Sequence, residues 1–348
     1  MKFIKGRNNL SVTVFVPWDC DNNCKFCTSK KEYKKEKNFF KVLDAIEKLN
    51  NTDIQEFVFT GGEPFANMEL LDDLISSIDS SKKIYINTSL PKFENIDDII
   101  KYIDNESRIC GINISRHADE FSKETLSNIV EDKVIQKITK PVRINCVNNV
   151  SLDLEKLISR WKPYYKNVTL NIRADYRYIE NFNLRTANNV VSENLLGLNC
   201  DYLGANGCDV CYTQYFILYM NSVAKKGLNI NYHRGLEQSS FRIGDNITYN
   251  DIIIKPDGNI YYDWDDKDED IDSLFDSIRN PLIPVKKTIK KDKTEPGSSC
   301  GVGTCGATSS HKEPATPESS YEFSSCGPTR AYKKPTIVSM SSCGGSSC

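Results

Sequence analysis

The chain has 348 residues, enough for one large α/β domain and an appendage, with the 39% hydrophobic and 26% charged content of an ordinary globular protein. A formal net charge of -2 leaves no broad electrostatic footprint for nucleic acid, and no apolar run approaches the roughly 20 residues that span a bilayer. The opening "MKFIKGRNNLS" lacks the apolar core of a secretion signal. The expectation is a cytoplasmic protein, whose thiols stay reduced, so that thirteen cysteines argue for metal binding or catalysis rather than disulfides.

In chain order, "SVTVFVP" from Ser11 reads as a buried strand, and Phe39, Phe40, Leu43, Ile46 and Leu49 recur at helical spacing after it. "EFVFTGG" is the next strand and "MELLDDLISSI" the next helix. "KIYINTS", "CGINISR", "VRINCVN" and "VTLNIRA" continue the strands, while "IDDIIKYI", "KETLSNIVEDKVI" and "LEKLISRW" supply helices between them. Six β/α units in alternation imply a parallel sheet with right-handed crossovers, that is, an α/β fold curling into a partial (β/α)6 TIM-like barrel. The rhythm breaks near Asn199, where Cys200, Cys208 and Cys211 follow, and "DIIIKPDGNIYYDW" reads as a hairpin turning at Asp257-Gly258. Past Pro284 the chain is rich in Ser, Gly, Cys, Pro and Thr, too poor in apolar residues to build a core, and disordered by composition. Three segments follow: a barrel over 1–198, an extension over 199–284 and a flexible tail over 285–348.

"VPWDCDNNCKFCTSK" places Cys20, Cys24 and Cys27 within one loop after the first predicted strand, at the barrel face where catalytic groups collect. A structural zinc site needs four ligands, and no fourth cysteine or nearby histidine follows. A [4Fe–4S] cluster on three thiolates leaves one iron open to a small molecule, and the spacing favours it over zinc. The second strand ends in "FTGGEPF", where Gly61 and Gly62 allow a close backbone approach and Glu63 offers an acceptor on the same face.

Together, Cys20-x3-Cys24-x2-Cys27 with Phe26, and Gly61-Gly62-Glu63-Pro64, resemble the radical S-adenosylmethionine (radical SAM) superfamily over roughly Ser11 to Asp175. The likeness is to its molybdenum-cofactor-cyclase and SPASM/twitch peptide-maturase types. The resemblance implies that Cys20, Cys24 and Cys27 ligate a [4Fe–4S] cluster whose fourth iron is chelated by SAM. It implies that Glu63, with the Gly61-Gly62-Pro64 turn, receives the SAM amino group, and that Phe26 packs near the adenine. Later strand ends extend it to Asn87 and Thr88, to Ser115 and Arg116 for the ribose or carboxylate, and to Asn145, Asn148 and Arg173. No acid or base is assigned as catalytic, because the cofactor carries the chemistry: one electron into SAM, supplied by a donor such as flavodoxin or ferredoxin, gives a 5′-deoxyadenosyl radical that abstracts hydrogen from carbon.

Cys200, Cys208 and Cys211 resemble the auxiliary-cluster extensions of peptide-modifying members, although the further cysteines usual after the hairpin are missing. A second [4Fe–4S] cluster, zinc, or three unrelated buried thiols all answer to that spacing. Cys110 and Cys146 fall inside predicted strands and read as buried free thiols. The tail repeats "SSCG" at Ser298, Ser324 and Ser341 and ends in "SSC", like the core peptides that such maturases crosslink through cysteine sulfur. The function that follows is a thioether crosslink in a cysteine-containing peptide, in the chain's own tail or a separate precursor. The alternatives are a small metabolite such as a nucleotide, or a non-catalytic SAM- and metal-binding scaffold.

Overall fold

The computed structural model describes residues 2–5, 10–22, 27–34, 36–116, 129–148, 153–174, 184–206, 213–233, 240–243, 245–249, 251–263 and 274. The cysteine-rich tail from 285 onward, residues 117–128, and Cys24, Phe26, Cys208 and Cys211 lie outside them.

The six apolar runs read from the sequence form β2 (Ser11–Phe15), β3 (Glu56–Thr60), β4 (Lys83–Thr88), β5 (Ile109–Ser115), β6 (Val142–Asn148) and β7 (Val168–Ala174), side by side and parallel in chain order. The connecting helices are α1 (Phe39–Asn50), α2 (Met68–Ser76), α3 (Ile96–Asn105), the single-turn α4 (Asp132–Ile135) and α5 (Leu154–Trp161). Asn38, Asn67 and Asp153 start α1, α2 and α5 by accepting the N–H of Lys41, Leu70 and Lys156 at 3.1, 3.1 and 3.0 Å, which satisfies amides that the first helical turn leaves open.

Later residues extend this sheet at both edges. β13 (Ile252–Ile254) lies parallel to β2 and turns into β14 (Ile260–Tyr261), the hairpin expected at Asp257-Gly258. β10 (Lys226–His233) lies parallel to β7, followed outward by the antiparallel β9 (Thr213–Asn221) and β8 (Asp201–Asn206), which come after α6 (Leu184–Gly197). The order β14-β13-β2-β3-β4-β5-β6-β7-β10-β9-β8 leaves an end strand on each side, so the barrel is partial rather than closed. A separate small sheet joins β1 (Lys2–Lys5), β12 (Asn246–Tyr249) and β11 (Ser240–Ile243), with Phe3 packed edge-on against Tyr249 and Tyr262.

Alternation along the strands separates two faces. Val12, Val14, Phe57, Phe59, Ile84, Ile86, Ile112, Ile114, Ile144, Leu170 and Ile172 pack into one core with the buried stripes of α1, α2, α3 and α5. Each fully buried side chain of this kind stabilises the fold by about 1.5–3 kcal/mol. The opposite face is polar: Asn87, Asn113, Asn145, Asn171 and Asn231 stand at registered positions, with Asn113 bonded to Asn87 and Asn171 to Asn145, each at 2.7 Å. Arg143 on this face is pulled down to about 10 by burial, an effect opposed by Tyr85, Tyr215 and Glu56.

Two expectations change. The helix over "KETLSNIVEDKVI" survives only as Asp132–Ile135 within the described residues, because Ile129 bridges Pro91 and Val130 N–H bonds the Leu90 carbonyl at 3.1 Å, extending the chain along the exit of β4. Phe40, placed on the buried face of α1 by its spacing, is 78% exposed, while Val42, Ala45, Ile46 and Leu49 fill that face.

Candidate functional site

The loop after β2 and the turn after β3 are laced together at the same end of the sheet. Val16 N–H bonds Thr60 O at 3.0 Å, Glu63 N–H bonds Asp19 O at 3.2 Å, and the Trp18 indole N–H donates to Glu63 O at 2.8 Å. Gly61 and Gly62 have φ values of 67 and 40, a left-handed pair that glycine tolerates. A Cβ on Gly61 would strike Tyr33 and Phe15, and one on Gly62 the Trp18 carbonyl oxygen. The close approach read from these glycines is therefore, in this structure, an approach to the backbone and rings of the cysteine loop.

Cys20 and Cys27 flank that loop and are both half-buried free thiols. Burial pushes the Cys20 thiol up, partly offset by hydrogen bonding to Asn22, and both Glu63 and Cys27 contribute to its electrostatic surroundings. Cys27 leads into a 3-10 helix over Thr28–Lys34, where Tyr33 donates to Val16 O at 3.0 Å. Burial, then Cys27 and Cys20, keep the Tyr33 phenol protonated. Two ion pairs brace this segment: Lys37 holds both Asp19 oxygens at 2.7 and 2.6 Å, and the buried Lys255 lies 3.5 Å from Glu32 with its ammonium 4.1 Å above the Tyr261 ring. The β13–β14 hairpin thus anchors the chain that follows the third cysteine.

Glu63 is only 3% exposed and caps the short 3-10 helix Pro64–Ala66, whose first residue is the buried Pro64. Its Oε1 accepts from the Thr88 hydroxyl at 2.5 Å and Phe65 N–H at 3.3 Å; its Oε2 accepts from Ser89 N–H at 2.9 Å and the Ser89 hydroxyl at 2.6 Å. Burial raises its pKa, and these four donors pull against that shift without cancelling it. Asn22, beside the first cysteine, donates to the Ser89 hydroxyl at 2.8 Å and so joins the cysteine loop to the Glu63 pocket.

The remaining sequence-derived positions spread along the strand ends. Thr88 is buried on Glu63, Asn87 is half-buried against Asn113, and Asn145 accepts from Asn171. Ser115 ends β5, and Asn148 is the last residue of β6, in register with Ala174. Arg173 is registered with Val147 on one side and His233 on the other. Arg116 is fully buried and donates to the carbonyls of Ser89, Ser115 and Val130 at 2.5, 2.8 and 3.2 Å. Cys146 is buried and Cys110 half-buried. Cys200 is 2% exposed in the apolar core; its N–H bonds Leu195 O at 3.0 Å past the left-handed Asn199 that ends α6. Burial pushes its thiol up to about 11.

Ser89 and Asn22 are the site residues that sequence reading missed. Ser89 directly follows the Asn87-Thr88 pair, so extending that segment by one residue would have found it. Asn22 lies between the first two cysteines, but its reach to Ser89 joins positions 67 residues apart and depends on the fold.

Among the described residues the donor set supplies two of the three thiols that a cluster would need, and a carboxylate that could take an ammonium. Two thiols stand beside an enclosed carboxylate, and the Thr88 and Ser89 hydroxyls that fill that carboxylate can rotate away when a stronger donor arrives.

Residues 6–109 match the family described as "4Fe-4S single cluster domain". No curated protein matches the chain in sequence. Among solved structures the chain is similar to Streptococcus suis SuiB in three forms. SuiB alone has a TM-score of 0.52 at 13% identity, covering 78% of this chain and 65% of that one. SuiB bound to precursor peptide SuiA has a TM-score of 0.52 at 14% identity, covering 82% and 68%. SuiB bound to S-adenosylmethionine has a TM-score of 0.43 at 15% identity, covering 54% and 48%. The chain thus spans about half to two thirds of the length of the structures it matches. Residues 6–109 are thus similar to a 4Fe-4S single cluster domain, and the chain shares its fold with SuiB.

Proposed function

We propose that this protein is a radical SAM enzyme that modifies a cysteine-containing peptide by forming a thioether. The carrying observation is the junction of two motifs far apart in sequence: the backbone of Glu63 is bonded to Trp18 and Asp19, so its enclosed carboxylate lies beside the cysteine loop. In this reading Cys20, Cys24 and Cys27 hold the cluster, and Glu63 receives the SAM ammonium in place of a Thr88 or Ser89 hydroxyl. When bound, the reduced cluster and SAM supply a 5′-deoxyadenosyl radical able to take hydrogen from an unactivated carbon. The chain's own residues hold the substrate near that carbon and keep water out, and the polar inner face, with Asn113, Asn171, Asn231 and Arg173, offers amide and cationic groups for it.

A peptide as substrate is supported by the fold shared with SuiB, which has been solved with its precursor peptide SuiA. The tail cysteines make the chain itself a source: from Pro284 to Cys300 is about 16 residues, or roughly 22 Å of random-coil reach, comparable to a barrel radius. A protein acting on such a peptide belongs in the cytoplasm and draws electrons from a flavodoxin or ferredoxin. A second cluster at Cys200, Cys208 and Cys211 is the weaker part of this reading, since the thiol of Cys200 is enclosed by apolar side chains at the end of α6.

Tandem mass spectrometry of full-length protein, reconstituted anaerobically with SAM and reductant, tests the peptide reading. Each crosslink removes a pair of hydrogens from the peptide mass, one carried off as 5′-deoxyadenosine and the other as the thiol proton, while the electron released as sulfur joins carbon would pass to an iron–sulfur cluster; the product survives reduction and alkylation. Blocked alkylation at one or more of Cys300, Cys305, Cys326, Cys343 and Cys348 is the expected result. Complete alkylation of all five while deoxyadenosine accumulates excludes the tail as substrate. Truncation after Pro284 is an independent check: turnover of a peptide carried in cis would be lost, whereas a metabolite would still be turned over.

A further inference from the structure

We propose that Arg116 is a positioning residue for Glu63, acting through Ser89 rather than by touching a ligand. This rests on the reading of Glu63 as the group that takes the SAM ammonium.

The turn leaving β4 is held from two sides. On one side Ser89 gives its N–H and its hydroxyl to Glu63 Oε2 at 2.9 and 2.6 Å. On the other, the Arg116 Nη1 donates to the Ser89 carbonyl at 2.5 Å. The peptide units of Ser89 are therefore fixed at both ends, with the serine aimed at the carboxylate. The next residue, Leu90, has a φ of 47, in the left-handed region that a leucine rarely adopts. Its N–H bonds Thr88 Oγ1 at 2.7 Å, and Thr88 is the second hydroxyl donor to Glu63. A non-glycine residue persists in that conformation only where its surroundings dictate it. Here they force two consecutive donors, Thr88 and Ser89, onto one carboxylate.

Arg116 is itself fastened. Its Nη2 reaches Val130 O at 3.2 Å, and its Nε lies 3.7 Å from Asp132 Oδ1. Asp132 is gripped by Arg160, from Nε at 2.6 Å and Nη2 at 2.9 Å. A line of contacts thus runs from Arg160 on α5 through Asp132 and Arg116 to Ser89 and Glu63. Burying a guanidinium completely is expensive: burial draws Arg116 down to about 10, against the opposing pull of Asp132 and Glu63. An apolar side chain would fill the same volume more cheaply but would leave the Ser89 carbonyl unheld and the Glu63 carboxylate without a nearby positive charge.

SAM binding to cluster-loaded, full-length protein, measured by equilibrium dialysis, tests this. Arg116→Gln is expected to weaken binding roughly tenfold or more, the scale of hydrogen bonds to a charged group, whereas Ser89→Ala, which keeps both peptide groups and removes only the hydroxyl that the ammonium displaces, should stay within about twofold of wild type. The double variant should bind as Arg116→Gln does, because the line from Arg116 runs through the Ser89 peptide groups and not its hydroxyl. The KM for SAM should rise by the same factor while kcat and iron content stay at wild-type levels. A general loss of structure would instead lower iron content and kcat, and a tenfold loss in Ser89→Ala would show that the hydroxyl rather than the held peptide matters; either result overturns the proposal. Wild-type affinity in folded Arg116→Gln overturns it as well. If that variant does not fold, Arg116→Lys is judged by the same criteria, since an ammonium cannot span the acceptors a guanidinium holds. A wild-type protein that carries its cluster yet binds no SAM fails the parent reading of Glu63. Wild-type protein that binds SAM, with no change in the variants, fails this inference alone.

Discussion

Burial raises the pKa of Glu63 and lowers that of His233, and the two shifts affect the protein in different ways. Glu63 keeps a carboxylate almost free of solvent, with a pKa raised by that burial despite four donors, the arrangement expected where a protein tolerates a charge for a ligand's sake. His233, at the end of β10 beside Arg173, is pulled down to about 3, first by burial and then by that arginine. The folded state therefore refuses a proton that the unfolded chain accepts near pH 6.5. Its contribution to stability is intact above that pH and is lost progressively as pH falls toward 3, by up to about 1.4 kcal/mol per pH unit. Denaturant unfolding at neutral and mildly acid pH should show a shallower acid loss in His233→Gln than in the wild type. Parallel curves would mean that His233 titrates normally in the fold.

Among the elements, the exit of β3 tolerates little change, since it must pass under the cysteine loop. Both glycines there have positive φ, and at Gly62 the obstacle to a side chain is the Trp18 backbone, which cannot swing aside as a flexible side chain would. Gly62→Ala should cost at least about 2 kcal/mol from left-handed strain and the clash combined. Because the displaced chain carries Cys20, iron content after reconstitution should fall with stability. Thermal unfolding together with iron analysis checks this; a variant with unchanged melting temperature and full iron would show that the two loops are not coupled. The β13–β14 hairpin supports the same loop from the other side through Lys255 and Glu32, which gives residues late in the chain a part in holding the first motif.

For the whole molecule, what was legible in the sequence was what repeats locally. Strands β2 to β7 announced themselves as short apolar runs between helical stripes, and the hairpin by Asp257-Gly258, because each signal lies within a few neighbouring residues. The pairing of β1 with β12 was not legible, since it joins residues 2–5 to 246–249 and leaves no local mark. β10 was within reach: "LNINYH" alternates as a strand should, but it follows no helix that would continue the β/α rhythm. The same limit governs the site. Cys20, Cys27 and Glu63 stood out by motif, whereas the carbonyl partners of Arg116 and its neighbour Asp132 come from distant segments and leave no local mark. The central claim is that the loop of Cys20, Cys24 and Cys27 carries a cluster that works on SAM bound at Glu63. The most direct measurement is chromatographic assay of 5′-deoxyadenosine formed by anaerobically reconstituted full-length protein with SAM and dithionite, set beside Cys24→Ala. The account requires deoxyadenosine from the wild type and none from the variant; a colourless wild-type protein that holds only zinc and leaves SAM intact would contradict it.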